Sequence, residues 1–265
     1  MSMADKKVAI VTGGSSGIGF ATCRKLNEEG YLVYGFSRRG TVPEGAAGMS
    51  VDITDREAVF TAVRSVAEKH GRIDLLVNCA GKGISGPVEF ASDDDFRKQM
   101  DVLFYGQVYC TQAVLETMRR QKSGHIIFIS SVASGIAIPY QAFYSAGKSA
   151  INSVALALRN ELKDFNIKVC TVMPGDVATG FTDARKKESA HDDIYRHNES
   201  ATAAMEKDER GGMTPDCVAK RIVEAAKKDN PRPLYVVGAK YRVFMVLFKL
   251  LPARLSYYIV GRMYS

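Results

Sequence analysis

KVAIVTGGSSGIGFATCRKLNEEG, residues Lys7–Gly30, joins a short β-rich apolar run to a helical pattern through a glycine-rich turn. KVAIVT reads as a buried strand, and Gly30 stops the helix that follows the turn. Glycines at Gly13, Gly14, Gly17 and Gly19 let the backbone turn tightly and approach a pyrophosphate. The turn and helix N-terminus, with Ser15, Ser16 and Ile18, then offer unpaired N–H groups and a favourable dipole to an anion. The spacing is not the commonest GxGxxG. The turn itself holds no Gly-Lys-Ser/Thr, which argues against a P-loop ATPase.

Working outward, the same alternation repeats. Further strands are expected at Tyr31–Phe36, Ser50–Ile53, Ile73–Asn78, Gly124–Ser130, Ile167–Met173 and Pro231–Val237. Helical patterns fall near Asp55–His70, across Ser92–Arg120 and over Tyr144–Asp164. Near-continuous apolar strands alternating with helices predict an α/β fold, a doubly wound parallel sheet covered on both faces. With no linker or composition break before residue 231, one domain spanning residues 1–265 is expected. Residues 176–214 are long, charged and weakly periodic, the composition of a mobile flap or a solvated insertion with one or two exposed helices.

The strand ends carry the chemistry. Phe36 is followed by Ser37, Arg38 and Arg39, where an NAD site usually places an acid for the ribose hydroxyls. A guanidinium forks instead onto a 2′-phosphate, so NADP is favoured over NAD. Asp52, beside Ile53, is placed to accept from an adenine amine. Asn78-Cys79-Ala80-Gly81 ends another strand with residues small enough to leave room for a cofactor. Tyr144 and Lys148 are four apart on a predicted helix, hence on one face. A lysine ammonium beside a phenol favours the phenolate, which otherwise forms only near pH ~10. Ser130 and Ser131 lie just upstream.

The ordered set TGGSSGIG (Thr12–Gly19), VD (Val51-Asp52), NCAG (Asn78–Gly81), ISS (Ile129–Ser131), YSAGK (Tyr144–Lys148) and PGDVAT (Pro174–Thr179) resembles the short-chain dehydrogenase/reductase family. The resemblance covers about Lys6–Tyr235. It implies a Rossmann-type seven-stranded parallel sheet, a homodimer or homotetramer, and hydride transfer between nicotinamide and a carbonyl or alcohol carbon. It makes Tyr144 the acid/base, Lys148 the residue that holds the nicotinamide ribose and keeps the tyrosine acidic, and Ser131 the hydrogen-bond partner of the substrate oxygen. It implies adenine contacts from Val51 and Asp52, a sheet-centre role for Asn78, and carboxamide contacts from Val177 and Thr179 after Pro174-Gly175. Arg38 matches the basic position of NADP-preferring members. One position departs: the asparagine that usually completes a proton relay is Leu103, three residues before Gly106. A slower enzyme or a rearranged relay is expected. The alternative is a noncatalytic NADP(H)-binding regulatory protein.

The substrate is expected to be a small apolar carbonyl or alcohol, lipid-like if the tail is a guide. Ser85, Gly86, Ala137, Ile138, Pro139 and Tyr140 are candidates for the pocket wall, and an apolar stretch from Ile136 favours a hydrophobic ligand. The net charge is +7, yet Arg232–Ser265 alone holds six Lys or Arg and no Asp or Glu. No motif of nucleic-acid recognition is present. The tail, about residues 240–265, breaks every apolar run with a positive charge, short of the ~18 residues of a membrane span. It is expected to lie on an anionic bilayer surface, close the substrate pocket, or pack on a partner subunit. It resembles the tails of steroid, retinol and lipid-handling reductases. Five cysteines without metal-ligand spacing read as buried apolar groups in a reducing compartment. His191 and His197 read as surface residues rather than ligands, and no metal site is expected. An N-terminus without a signal-peptide pattern predicts a cytoplasmic location.

Overall fold

In a computed structural model of the chain, the described residues are 6–188, 191 and 193–264. Strands β1 (Val8–Thr12), β2 (Leu32–Ser37), β3 (Ala47–Ser50), β4 (Leu75–Asn78), β6 (Gly124–Ile129), β7 (Ile167–Pro174) and β9 (Leu234–Val237) form one seven-stranded sheet. Its order is β3-β2-β1-β4-β6-β7-β9, and every pairing is parallel. The chain builds outward from β1 to β3, then returns to build the other way from β4. The reversal leaves a crevice between the ends of β1 and β4, where open sheets of this kind hold ligands.

Successive strand residues point to opposite faces, and both faces are covered. On one side Val8, Ile10, Leu76, Ile126 and Phe128 pack under α2 (Arg56–His70), α4 (Gly106–Gln121) and α5 (Ala142–Glu161). On the other Ala9, Val11, Leu75, Val77 and Ile127 meet α1 (Gly17–Glu28) and α7 (Pro215–Ala226). Full burial of each such aliphatic side chain contributes ~1.5–3 kcal/mol. Local signals set the helix ends: the Asp55 carboxylate accepts from Ala58 N at the start of α2, and Gly71 ends it in the left-handed region at φ 70°.

Several boundaries differ from the sequence expectation. The strand expected at Ser50–Ile53 lies earlier, at β3, because Ala47–Ser50 pairs with Tyr34–Ser37. Its Ala-Gly-Met-Ser composition gives no apolar run to read. The helix expected across Ser92–Arg120 is split into α3 (Asp93–Met100), a π-helical turn at Asp101–Tyr105, and α4. The wider turn swings Leu103 into the core and presses Gly106 on Ile53, where an added Cβ would sit 2.8 Å from its side chain.

The charged flap is less detached than its composition suggests. Its strand β8 (Lys186–Lys187) pairs with β5 (Ile84–Ser85), and α6 (Asn198–Arg210) buries Ala201, Thr202 and Met205. Ser189, Ala190 and Asp192 of the flap, and Ser265 of the tail, lie outside the described residues. The tail folds as α8 (Ala239–Leu250) and α9 (Ala253–Met263), divided at Pro252. Cys23, Cys110 and Cys170 are buried as expected, whereas Cys217 is exposed.

Candidate active site

The turn after β1 is held by its own strand neighbours. Thr12 Oγ1 accepts from Cys79 N at 3.0 Å and Ala80 N at 3.1 Å, tying the ends of β1 and β4 together. Gly13 adopts φ +69°, and a Cβ added there would lie 3.1 Å from the Ala80 backbone. At Gly19 the added Cβ would lie 2.2 Å from the Gly13 carbonyl oxygen. A side chain at either position would fill the cradle that brings the loop and helix together. Ser16 precedes α1 without a side-chain cap, so the first-turn N–H groups, from Gly17 and Ile18 onward, are left for another acceptor. These features fit a dinucleotide pyrophosphate.

The second strand end lies beside this turn. Arg38 and Arg39 are exposed, and Arg39 Nη2 donates to Ser15 Oγ at 3.1 Å. Ser37 Oγ accepts from Gly40 N at 3.0 Å. Asp52 Oδ1 accepts from both the backbone and hydroxyl of Thr54, which fixes the carboxylate just past β3, while Ile53 is buried. Asn78 is fully buried; its amide donates to Thr111 Oγ1 at 3.2 Å, and its Oδ1 has no hydrogen-bond partner among the described residues. Gly81 opens toward Leu103 and Phe181, each 3.8 Å from where its Cβ would be.

Beyond β7, Pro174 and Gly175 turn the chain under Tyr241 of α8, whose ring stands 2.1 Å from the Cβ position of Gly175. Val177 bridges to Met213, and the Thr179 methyl sits 3.2 Å from the Cβ position of Gly17. The loop after β7 therefore faces the glycine-rich turn across the crevice.

Ser130 and Ser131 have separate environments. Ser130 is buried and donates to the Lys148 carbonyl at 3.1 Å, fastening α5 to β6. Ser131 opens a short turn, accepts from Ala133 N at 3.1 Å, and reaches the phenol of Tyr144. Lys148 is buried below; its Nζ donates to Ile129 O at 2.7 Å and stands 5.8 Å from the centroid of the Tyr144 ring. Burial lowers Lys148 to about 8. Burial raises Tyr144 to about 12; Ser131 and Arg185 pull it down, while Glu209 and Asp176 push it up. Desolvation outweighs the neighbouring charges in setting the Tyr144 phenol in the cofactor-free protein.

Phe181, Arg185 and Glu209 escape the sequence reading. Phe181 tilts against Tyr144 at 5.8 Å between centroids. The Arg185 side chain is 1% exposed and pairs with Glu209, which also accepts from Thr182 Oγ1 at 2.6 Å. Among the described residues, Arg185 Nε and Nη1 have no hydrogen-bond partner. These residues come from a turn and a distant helix, so no local spacing joins them. Of the candidate wall, Ser85, Gly86 and Tyr140 line a cleft with Phe143 and Lys186. Ile138 N bonds to Ser145 Oγ at 3.3 Å, and Ile136 is buried in the core, so this stretch also packs its own loop. His191 stacks on Phe90 at 3.7 Å.

A family model described as short chain dehydrogenase matches residues 7–190. The chain belongs to the short chain dehydrogenase family. This dehydrogenase is 38% identical over 251 residues to the 3-ketodihydrosphingosine reductase of Bacteroides thetaiotaomicron, covering 92% of each chain. It is 33% identical to the 3-dehydrosphinganine reductase of Danio rerio, over 83% of this chain and 68% of that one. It is 30% identical to the NADPH-dependent 3-dehydrocapnine reductase of Ornithobacterium rhinotracheale, over 94% of each. Among solved structures, a short-chain dehydrogenase from Streptomyces avermitilis superposes with a TM-score of 0.84 at 27% identity, over 97% of this chain and 98% of that one. ElxO with NADP bound superposes at 0.74 and 25% identity, over 90% and 99%.

Proposed function

We propose that this dehydrogenase uses NADP(H) to reduce a ketone in a long-chain lipid that carries an amine on the neighbouring carbon. The observation that carries the reaction is the meeting of Ser131, Tyr144 and Lys148 beside the glycine cradle, at the carboxyl end of β6. The cofactor reading is supported by Arg38 and Arg39 at the end of β2 and by the structural likeness to ElxO with NADP bound. The substrate class is supported by the names of three relatives, which are reductases of 3-ketodihydrosphingosine, 3-dehydrosphinganine and 3-dehydrocapnine.

Gly13, Ser15, Ser16, Gly17, Ile18 and Gly19 would hold the pyrophosphate, and Ser37, Arg38 and Arg39 the 2′-phosphate. Asp52 and Ile53 would take the adenine, with Asn78, Ala80 and Gly81 along the ribose side. Pro174, Gly175, Val177 and Thr179 would bound the nicotinamide. When bound, NADPH supplies hydride to the carbonyl carbon. Tyr144, protonated at neutral pH, is poised as an acid toward the carbonyl oxygen. Ser131 is the second donor to that oxygen. Lys148, buried and still mostly cationic at neutral pH, favours the phenolate left behind. Asp176 places negative charge on the Tyr144 side, which suits an ammonium, while Glu209 is paired with Arg185, whose remaining N–H groups suit a neighbouring oxygen.

NADPH oxidation with a long-chain 2-amino ketone tests this reading. Native protein turns over, and Tyr144→Phe loses at least ~100-fold. Equal rates in the two would remove Tyr144 from the reaction. A cytoplasmic homodimer or homotetramer completes the proposal, and light scattering of the purified chain measures the assembly.

A further inference from the structure

Among the described residues, nothing covers one apolar face of the last two helices. On α8, Val243, Val246, Leu247 and Leu250 are 60%, 58%, 51% and 76% exposed. Their i, i+3, i+4, i+7 spacing places them on one stripe. The opposite face of α8 is committed to the protein: Tyr241 covers Gly175 and Met245 packs at Gly135. Phe248 packs edge-on to Tyr257 of α9, with centroids 5.5 Å apart. On α9, Leu255, Tyr257, Tyr258 and Met263 are exposed as well. Eight of the fourteen exposed large apolar residues among the described ones therefore lie between Val243 and Met263, which marks a patch rather than scatter.

Its charge selects the occupant. Arg242, Lys249, Arg254 and Arg262 are exposed on these helices, and Arg232–Ser265 contains no Asp or Glu. A second copy of the same patch would bring like charges together across the contact. An anionic lipid surface offers both acyl chains for the stripe and negative headgroups for the flanking cations. Tyr257 and Tyr258 have the amphipathic character that favours the headgroup boundary. Helices of 12 and 11 residues are about 18 Å and about 17 Å long, too short to span a bilayer. No helix among the described residues is long and apolar enough to cross one.

We propose that α8 and α9 lie in the interface of an anionic bilayer and seat the molecule there. The seat adjoins the candidate active site, because the inner face of α8 covers the Pro174–Asp176 loop and meets Gly135 beyond Ser131. Attachment is independent of which substrate is reduced.

The test is sedimentation of the full chain with vesicles of phosphatidylcholine alone, and of phosphatidylcholine mixed with phosphatidylglycerol. Partitioning onto the mixed vesicles should be at least ~10-fold stronger and fall with added salt. The double variants Val246→Asp/Leu247→Asp and Arg242→Glu/Lys249→Glu should each lose it, with unchanged thermal midpoints because all four side chains are exposed. Equal partitioning onto both vesicle types would overturn the proposal, as would native-like binding by either variant. A patch that instead closes a dimer, with Val246→Asp/Leu247→Asp turning a dimer into a monomer in light scattering, would overturn it too.

Discussion

Replacing Lys148 by Met should make the cofactor-free protein more stable at neutral pH while disabling its chemistry. Lys148 is 4% exposed, and burial brings it from 10.5 to about 8. At ~1.4 kcal/mol per pH unit, carrying that proton below pH 8 costs the folded state about 3 kcal/mol. The native chain binds fewer protons than the unfolded one between pH 8 and 10.5. The lysine therefore penalises the fold fully below pH 8, and the penalty fades as pH rises through that window. Methionine has a similar length and no charge. Its substitution forfeits the hydrogen bond to Ile129 O, worth ~1 kcal/mol, leaving a net gain of about 2 kcal/mol at pH 7. Urea denaturation of native protein and Lys148→Met at pH 7 and pH 10 measures this. The gain should be present at pH 7 and reversed or absent at pH 10. A variant less stable than native at pH 7, or a difference that does not change with pH, would refute the assignment of a desolvated cation to this site.

Arg38→Ala should weaken NADPH by at least ~10-fold, the value of one charge-assisted hydrogen bond to phosphate, and leave NADH within ~2-fold; calorimetric titration of both cofactors compares them. Arg185→Met strands the Glu209 carboxylate and should destabilise the fold by ~3–5 kcal/mol, whereas Arg185→Met with Glu209→Gln should recover most of that; the recovered variant should raise KM for a 2-amino ketone while leaving a plain long-chain ketone unchanged. Leu103→Asn buries an amide and should cost ~1–3 kcal/mol of stability, yet raise kcat if the missing side chain limits the proton relay; an unchanged kcat would show that backbone groups suffice.

Motifs on single strand ends were legible because their chemistry is local. Gly13, Gly17 and Gly19 mark a close-packed turn, and the turn occurs where the strand meets the helix. Tyr144 and Lys148 share a face because they share a helix. Boundaries were less legible where composition carried no period: β3 has only Ala-Gly-Met-Ser, and the π-helical turn at Asp101–Tyr105 interrupts a pattern that continues on both sides of it. The tail was legible as basic and apolar, but not which of its apolar residues the protein would use.

By itself, the sequence determined the alternation of strands and helices, the glycine-rich turn and the placing of Tyr144 and Lys148 on one helix face, since each rests on spacing within one element and its flanking turn. Only the tertiary structure decided the environment in which that pair works. Burial sets Tyr144 and Lys148 moving in opposite directions, and neither shift is written in a four-residue spacing. The Arg185–Glu209 pair beside them joins a turn to a helix 24 residues on, and the bare stripe on α8 exists because the helix spends its other face on Gly135 and Gly175. Desolvation and exposure are properties of the packed chain, because they depend on neighbours that folding brings from far along it.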